Sequence, residues 1–130
     1  MTLFEECILA LGNNQKIVTE EETNQYFEQL VNMFSIVSWG RIEWETISKK
    51  YRLNHISEVL DYLKEHGIEE RSIILLWNYS DAPAVKTNLT NIFNCIDDVT
   101  AVGSDTFVFC PTGKYVIEFF HEGEITLGII

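Results

Sequence analysis

The sequence predicts one α+β domain, in which N-terminal and central helices pack on a C-terminal antiparallel β-meander. Capped amphipathic segments recur through its first half, and the run Ser72-Ile-Ile-Leu-Leu-Trp-Asn78 is apolar on both alternating faces. The stretch from Thr106 to Ile130 breaks into three strand-like pieces at two short turns. A chain of 130 residues is near the usual size of one core and buries roughly two thirds of the surface its unfolded form exposes. No repeat, linker or low-complexity stretch divides it, so residues 1–130 read as a single domain.

Thr2 and Glu5 form a capping-box pattern ahead of a short helix with Leu3, Phe4, Cys7, Ile8 and Leu11 on one side, ended by Gly12-Asn13. Thr19 and Glu22 repeat that pattern before a longer helix striped by Tyr26, Phe27, Leu30, Val31 and Phe34. Its acids Glu20, Glu21 and Glu22 suit the positive end of the helix dipole. Trp39-Gly40 reads as a turn, and the spacing of Trp44, Ile47 and Tyr51 predicts a short helix. Ile56, Val59, Leu60 and Leu63 predict another, stopped at His66-Gly67. After the central strand at Ser72–Asn78, Asp81-Ala-Pro83 is expected to open a helix burying Val85, Leu89, Ile92, Phe93 and Ile96. Pro-Thr-Gly and His-Glu-Gly turns then link the last strands into two hairpins, with Tyr115, Ile117 and Phe119 on one face and Ile125, Leu127 and Ile129 likewise on the next strand.

Nine basic residues stand against 20 acidic ones, a formal charge of −11. Such a field repels nucleic-acid backbones and anionic lipid and attracts a basic protein. The excess lies toward both ends: six acids to one base up to Phe34, seven to two from Ser72 onward, and near balance between them. No apolar run reaches the roughly 20 residues of a membrane span, and acids stand where a signal peptide carries basic residues. Cys7, Cys95 and Cys110 are odd in number and each has an apolar neighbour. They are expected to be reduced thiols of a cytoplasmic protein.

Catalytic constellations are missing. There is no Cys-x-x-Cys or His-x-x-x-His, and His121-Glu-Gly-Glu124 lacks the second histidine of a zinc-protease helix, so neither metal nor cofactor is expected. Cys110 with His121 could make a nucleophile pair, but Cys110 follows Thr106-Phe-Val-Phe and reads as a small core hydrophobe. His55, His66 and His121 sit beside element ends with no nucleophile motif near them. Asp97-Asp98 and Glu69-Glu70 read as solvated turns before they read as acid/base couples, and Pro-Thr-Gly-Lys114 lacks P-loop spacing. No catalytic residue is assigned.

Three phrases resemble the immunity proteins of bacterial contact-dependent growth inhibition systems: Leu3-Phe-Glu-Glu-Cys-Ile-Leu-Ala-Leu-Gly12, Phe34-Ser-Ile-Val-Ser-Trp-Gly-Arg-Ile-Glu-Trp44, and Phe107-Val-Phe-Cys-Pro-Thr-Gly-Lys-Tyr-Val-Ile-Glu-Phe-Phe120 running into Gly123-Glu-Ile-Thr-Leu-Gly128. The resemblance implies a cytoplasmic antitoxin that binds the C-terminal toxin domain delivered by a sibling cell and blocks its active site. Many such toxins are nucleases, some of them cutting tRNA. A basic nuclease surface and an acidic inhibitor are complementary, and an interface of about 1,600 Å² would be the default size. The residues expected to meet the partner are acids outside helix starts, Asp97, Asp98, Glu122 and Glu124, with Glu43 and Glu45 beside Trp39 and Trp44 as a second patch. The competing reading is an acidic adaptor or nucleic-acid mimic unrelated to toxins, and a small hydrolase is third.

Overall fold

The computed structural model describes residues 1–37 and 40–130; Trp39, and with it part of the turn expected at Trp39-Gly40, lies outside them. Local signals act as the sequence predicts at the first helices. In α1 (Leu3–Leu11) the Thr2 hydroxyl accepts from the Glu5 N–H at 3.1 Å, and the Glu5 carboxylate accepts from the Thr2 N–H at 3.0 Å. Gly12, at φ +74°, ends the helix. The start of α2 (Glu20–Phe34) is half a box: Thr19 caps the Glu22 N–H, while Glu22 takes the Thr19 hydroxyl instead of its backbone. The third helix, α3 (Glu58–Glu65), stops at Gly67 with φ +68°.

Seven strands form one antiparallel sheet: β1 (Lys16–Ile17), β2 (Lys49–Leu53), β3 (Ser72–Asn78), β4 (Val85–Asn88), β5 (Asp105–Cys110), β6 (Tyr115–Phe119) and β7 (Ile125–Ile129), in the spatial order β1-β4-β3-β5-β6-β7-β2. The expected meander is present as β5-β6-β7, and β3 lies in the middle of the sheet, buried from Ile73 to Trp77. Helices cover both faces. On one, the cross-strand row Leu75, Val108, Ile117, Leu127 and Tyr51 lies in the larger core with Cys7, Val59, Leu63 and Val99. On the other, Leu30 and Phe34 of α2 pack on Ile74, Leu76, Phe107 and Phe109, with Phe34 meeting Phe109 edge-on at 6.3 Å.

Two expected helices are replaced by strands. Trp44–Thr46 is a single 3-10 turn and β2 follows it, pairing with β7 from Lys49↔Ile129 to Leu53↔Ile125. The assumed stripe splits across the sheet, because Ile47 packs in the α2-side core while Tyr51 stacks on Tyr62 of α3 on the other side. Likewise Pro83 precedes β4, whose Val85 and Thr87 are buried in strand alternation. The helical pieces α4 (Leu89–Phe93) and α5 (Ile96–Thr100) start only afterwards, α4 capped by the Asn88 side chain. Pairing with β3 satisfies backbone groups that an exposed sheet edge would leave open, and that outweighs the helical spacing of Val85, Leu89 and Ile92.

Candidate partner-binding site

The α2 side of the sheet changes character from one edge to the other. One cross-strand row runs Leu76, Phe107, Glu118, Thr126, Arg52, and the next runs Ile74, Phe109, Val116, Gly128, Lys50. α2 covers the apolar half of both rows. The segment leaving α2 folds back over the middle, where Ile36 bridges Ile42 and the Glu43 N–H donates to the Ser35 carbonyl at 2.8 Å. Beyond it, over β7 and β2, an open cleft of about 700 Å³ remains, lined by Arg41, Glu43, Trp44, Glu45, Lys50, Arg52 and Glu124 among others.

Glu118 is the anchor of this region, although it lies in β6 with 1% exposure. One carboxylate oxygen accepts from Arg41 Nε at 3.0 Å and from the Trp44 indole Nε1 at 3.0 Å, and the other accepts from the Ile42 N–H at 2.9 Å. All three donors come from residues 41–44. A buried carboxylate is tolerable only when paired and hydrogen-bonded, and both conditions hold here. Arg41 also pairs with Glu124 and lies over the Phe120 ring, 4.1 Å from its centroid. Burial works against the Arg41 charge, but hydrogen bonds to Glu124 and Glu118 outweigh it and raise its pKa. The hydrogen bond from Arg41 lowers the pKa of Glu124 in turn, helped by the nearby charges of Arg41 and Arg52, whose Nη2 stands at 3.4 Å. The Trp44 ring rests over Gly128, where any Cβ would meet its Cζ3 at 2.6 Å.

Of the residues expected to meet a partner, Glu43, Trp44, Glu45 and Glu124 line this one cleft. Asp97 lines a neighbouring depression together with Glu124, His121 and Phe120, so Glu124 belongs to both. Asp98 and Glu122 are exposed but line neither, and Trp39 lies outside the described residues. Glu118, Arg41, Lys50 and Arg52 were not singled out from the sequence. The alternation Tyr115, Ile117, Phe119 did place Glu118 on the opposite face of β6, which a local reading assigns to solvent.

The other weighed constellations separate in space. Cys110 is fully buried at one end of β5. His121 binds Asp105 at the other end, through Nδ1 at 3.0 Å and its backbone N–H at 2.9 Å, so a strand length of roughly 17 Å parts the supposed pair. All three cysteines are free and buried, and burial, with Cys95 and Asp98 nearby, pushes the Cys7 thiol up to about 12. Among the described residues no group of three or more His, Cys, Asp or Glu could hold a metal ion, and no helix is long and apolar enough to cross a membrane.

The helix-covered sheet thus holds a charged and aromatic segment beside an open cleft, with the Glu118 carboxylate as its buried anchor. Residues 1–128 match the family described as CdiI immunity protein, EcoliA0-like, and the chain belongs to that family of immunity proteins. A stretch of 36 residues is also 50% identical to "Uncharacterized protein YqzI" of Bacillus subtilis (strain 168), covering 28% of this chain and 69% of that protein.

Proposed function

We propose that the protein neutralises a nuclease toxin domain by laying over its active site the surface that runs from Glu43 and Glu45 through Glu124 to Asp97. The observation that carries this is the shared position of Glu124, which lines both the cleft with Glu43 and Glu45 and the neighbouring depression with Asp97. A nuclease must offer basic groups to a phosphate backbone, and a polyanion of net −11 competes for them. Among the described residues Glu43 and Glu45 have no ionic partner, which leaves their charge for the toxin. Lys50 and Arg52 on the far wall add specificity, because a toxin presenting cations there would meet repulsion. Inhibition of this kind needs no bond chemistry, cofactor, metal, membrane or direct nucleic-acid contact from the inhibitor, and its place of action is the cytoplasm, where an incoming toxin finds its substrate.

Co-expression tests the reading. Cells producing the toxin domain encoded beside this gene should survive when this protein is made with it, and the two should co-purify one to one. Death at the same rate with and without the protein refutes it.

A further inference from the structure

We infer that Glu118 is the positioning residue of the binding surface: from inside the sheet it presets residues 41–45, so that Glu43, Trp44 and Glu45 meet the partner in their bound arrangement. This rests on the reading of the cleft as the toxin-binding face. The geometry is one-sided in an informative way. Among the described residues, the hydrogen bonds to the Glu118 carboxylate come from residues 41–44, more than 70 positions away in sequence, while its backbone pairs with the strands on either side. A second pin holds the same segment at Gly40, whose carbonyl accepts from Asn78 Nδ2 at 3.0 Å. Beneath Trp44, residue 128 is a glycine whose missing side chain makes room for the ring. The segment is therefore fixed by a buried charge, a close contact and an amide pin, while Glu43 and Glu45 at its surface remain exposed. Fixing a contact segment before association removes the ordering cost from binding.

Glu118→Gln keeps the shape of the side chain but turns an NH₂ group toward a donor, either the Ile42 N–H or the pair from Arg41 and Trp44. The segment then samples other arrangements, and the apparent Kd rises by the inverse of the competent fraction. If that fraction falls to a tenth, Kd rises about tenfold. The loss should appear in the association rate, since the complex once formed makes the same contacts at its surface.

The test measures kon and koff for the catalytically inactivated toxin domain encoded beside this gene, with hydrogen exchange of residues 41–46 in the free protein. Expected are a lower kon, a nearly unchanged koff and faster exchange in Glu118→Gln. Leu63→Ala, in the core on the opposite face of the sheet, is the control: it should lower thermal stability and leave kon alone. Should Glu118→Gln fail to fold, Gly128→Ala displaces Trp44 from below and should produce the same kinetic change. A wild-type kon and unchanged exchange in the variants, or an equal loss in Leu63→Ala, overturns the assignment alone. A wild-type protein that does not bind the domain overturns the functional reading as well.

Discussion

Glu118 is a carboxylate in a strand whose five residues are all buried, and its three donors explain why it can be there. Glu118→Ala should leave the Arg41 charge and the Ile42 and Trp44 N–H groups without their acceptor. Because Arg41 retains Glu124 and some access to water, a loss near the low end for a broken buried pair, about 3 kcal/mol, is expected in urea unfolding. Glu124 behaves differently, since its side chain is 31% exposed and its ion pairs are open to screening. Its folded pKa lies below the ordinary value of 4.5, chiefly because Arg41 donates to it. The stabilisation is therefore fully present above that value and is lost as pH falls through the lower, folded pKa. Thermal melts of the wild type and Glu124→Gln should differ by a constant amount from neutrality down to the carboxylate range and converge below it.

At the scale of the element, the edge strand β2 is the clearest departure from what periodicity predicts. Lys49, Lys50 and Arg52 occupy three of its five positions, and Lys50 and Arg52 share the face above the cleft. Charged side chains on an edge strand oppose pairing with a second sheet, so they protect the molecule as well as shaping the cleft. The double substitution Lys50→Val with Arg52→Val should favour self-association through this edge. Light scattering that rises with concentration for the variant, at concentrations where the wild type stays constant, is the expected result. Strand β4 shows the same competition resolved in the same direction. Its backbone pairs with β3 on one side and with β1 on the other, whereas a helix at that place would leave both without their partner.

Across the whole molecule, charge and fold act at different ranges. The −11 field is a property of composition and acts on a charged partner before contact, while under the proposed reading the cleft selects among partners once they arrive. Steered association can exceed the unsteered rate by 10–10³, so raising salt should lower kon for the toxin domain by roughly tenfold or more, with a smaller effect on koff. Stopped-flow measurements across a salt series check this. The helices α1, α2 and α3 and the strands β3, β5, β6 and β7 were legible because caps, stripes and alternation are local, each set by residues within a few positions of one another. The family likeness was legible for a related reason, since its phrases are continuous in sequence. Four of the residues expected at the partner surface, Glu43, Trp44, Glu45 and Glu124, line one cleft, but their convergence was not readable from spacing. Strands β1, β2 and β4, and the role of Glu118, depend on partners brought from far along the chain: β2 pairs with β7, and residues 41–44 close over β6. Composition and local pattern thus determined the acidity, most of the elements and the two-sided apolar character of the central strand. Tertiary structure decided which helical stripes became strands and turned an outward-pointing glutamate into a buried anchor, because backbone pairing and the desolvation of a charge are settled only when distant segments meet.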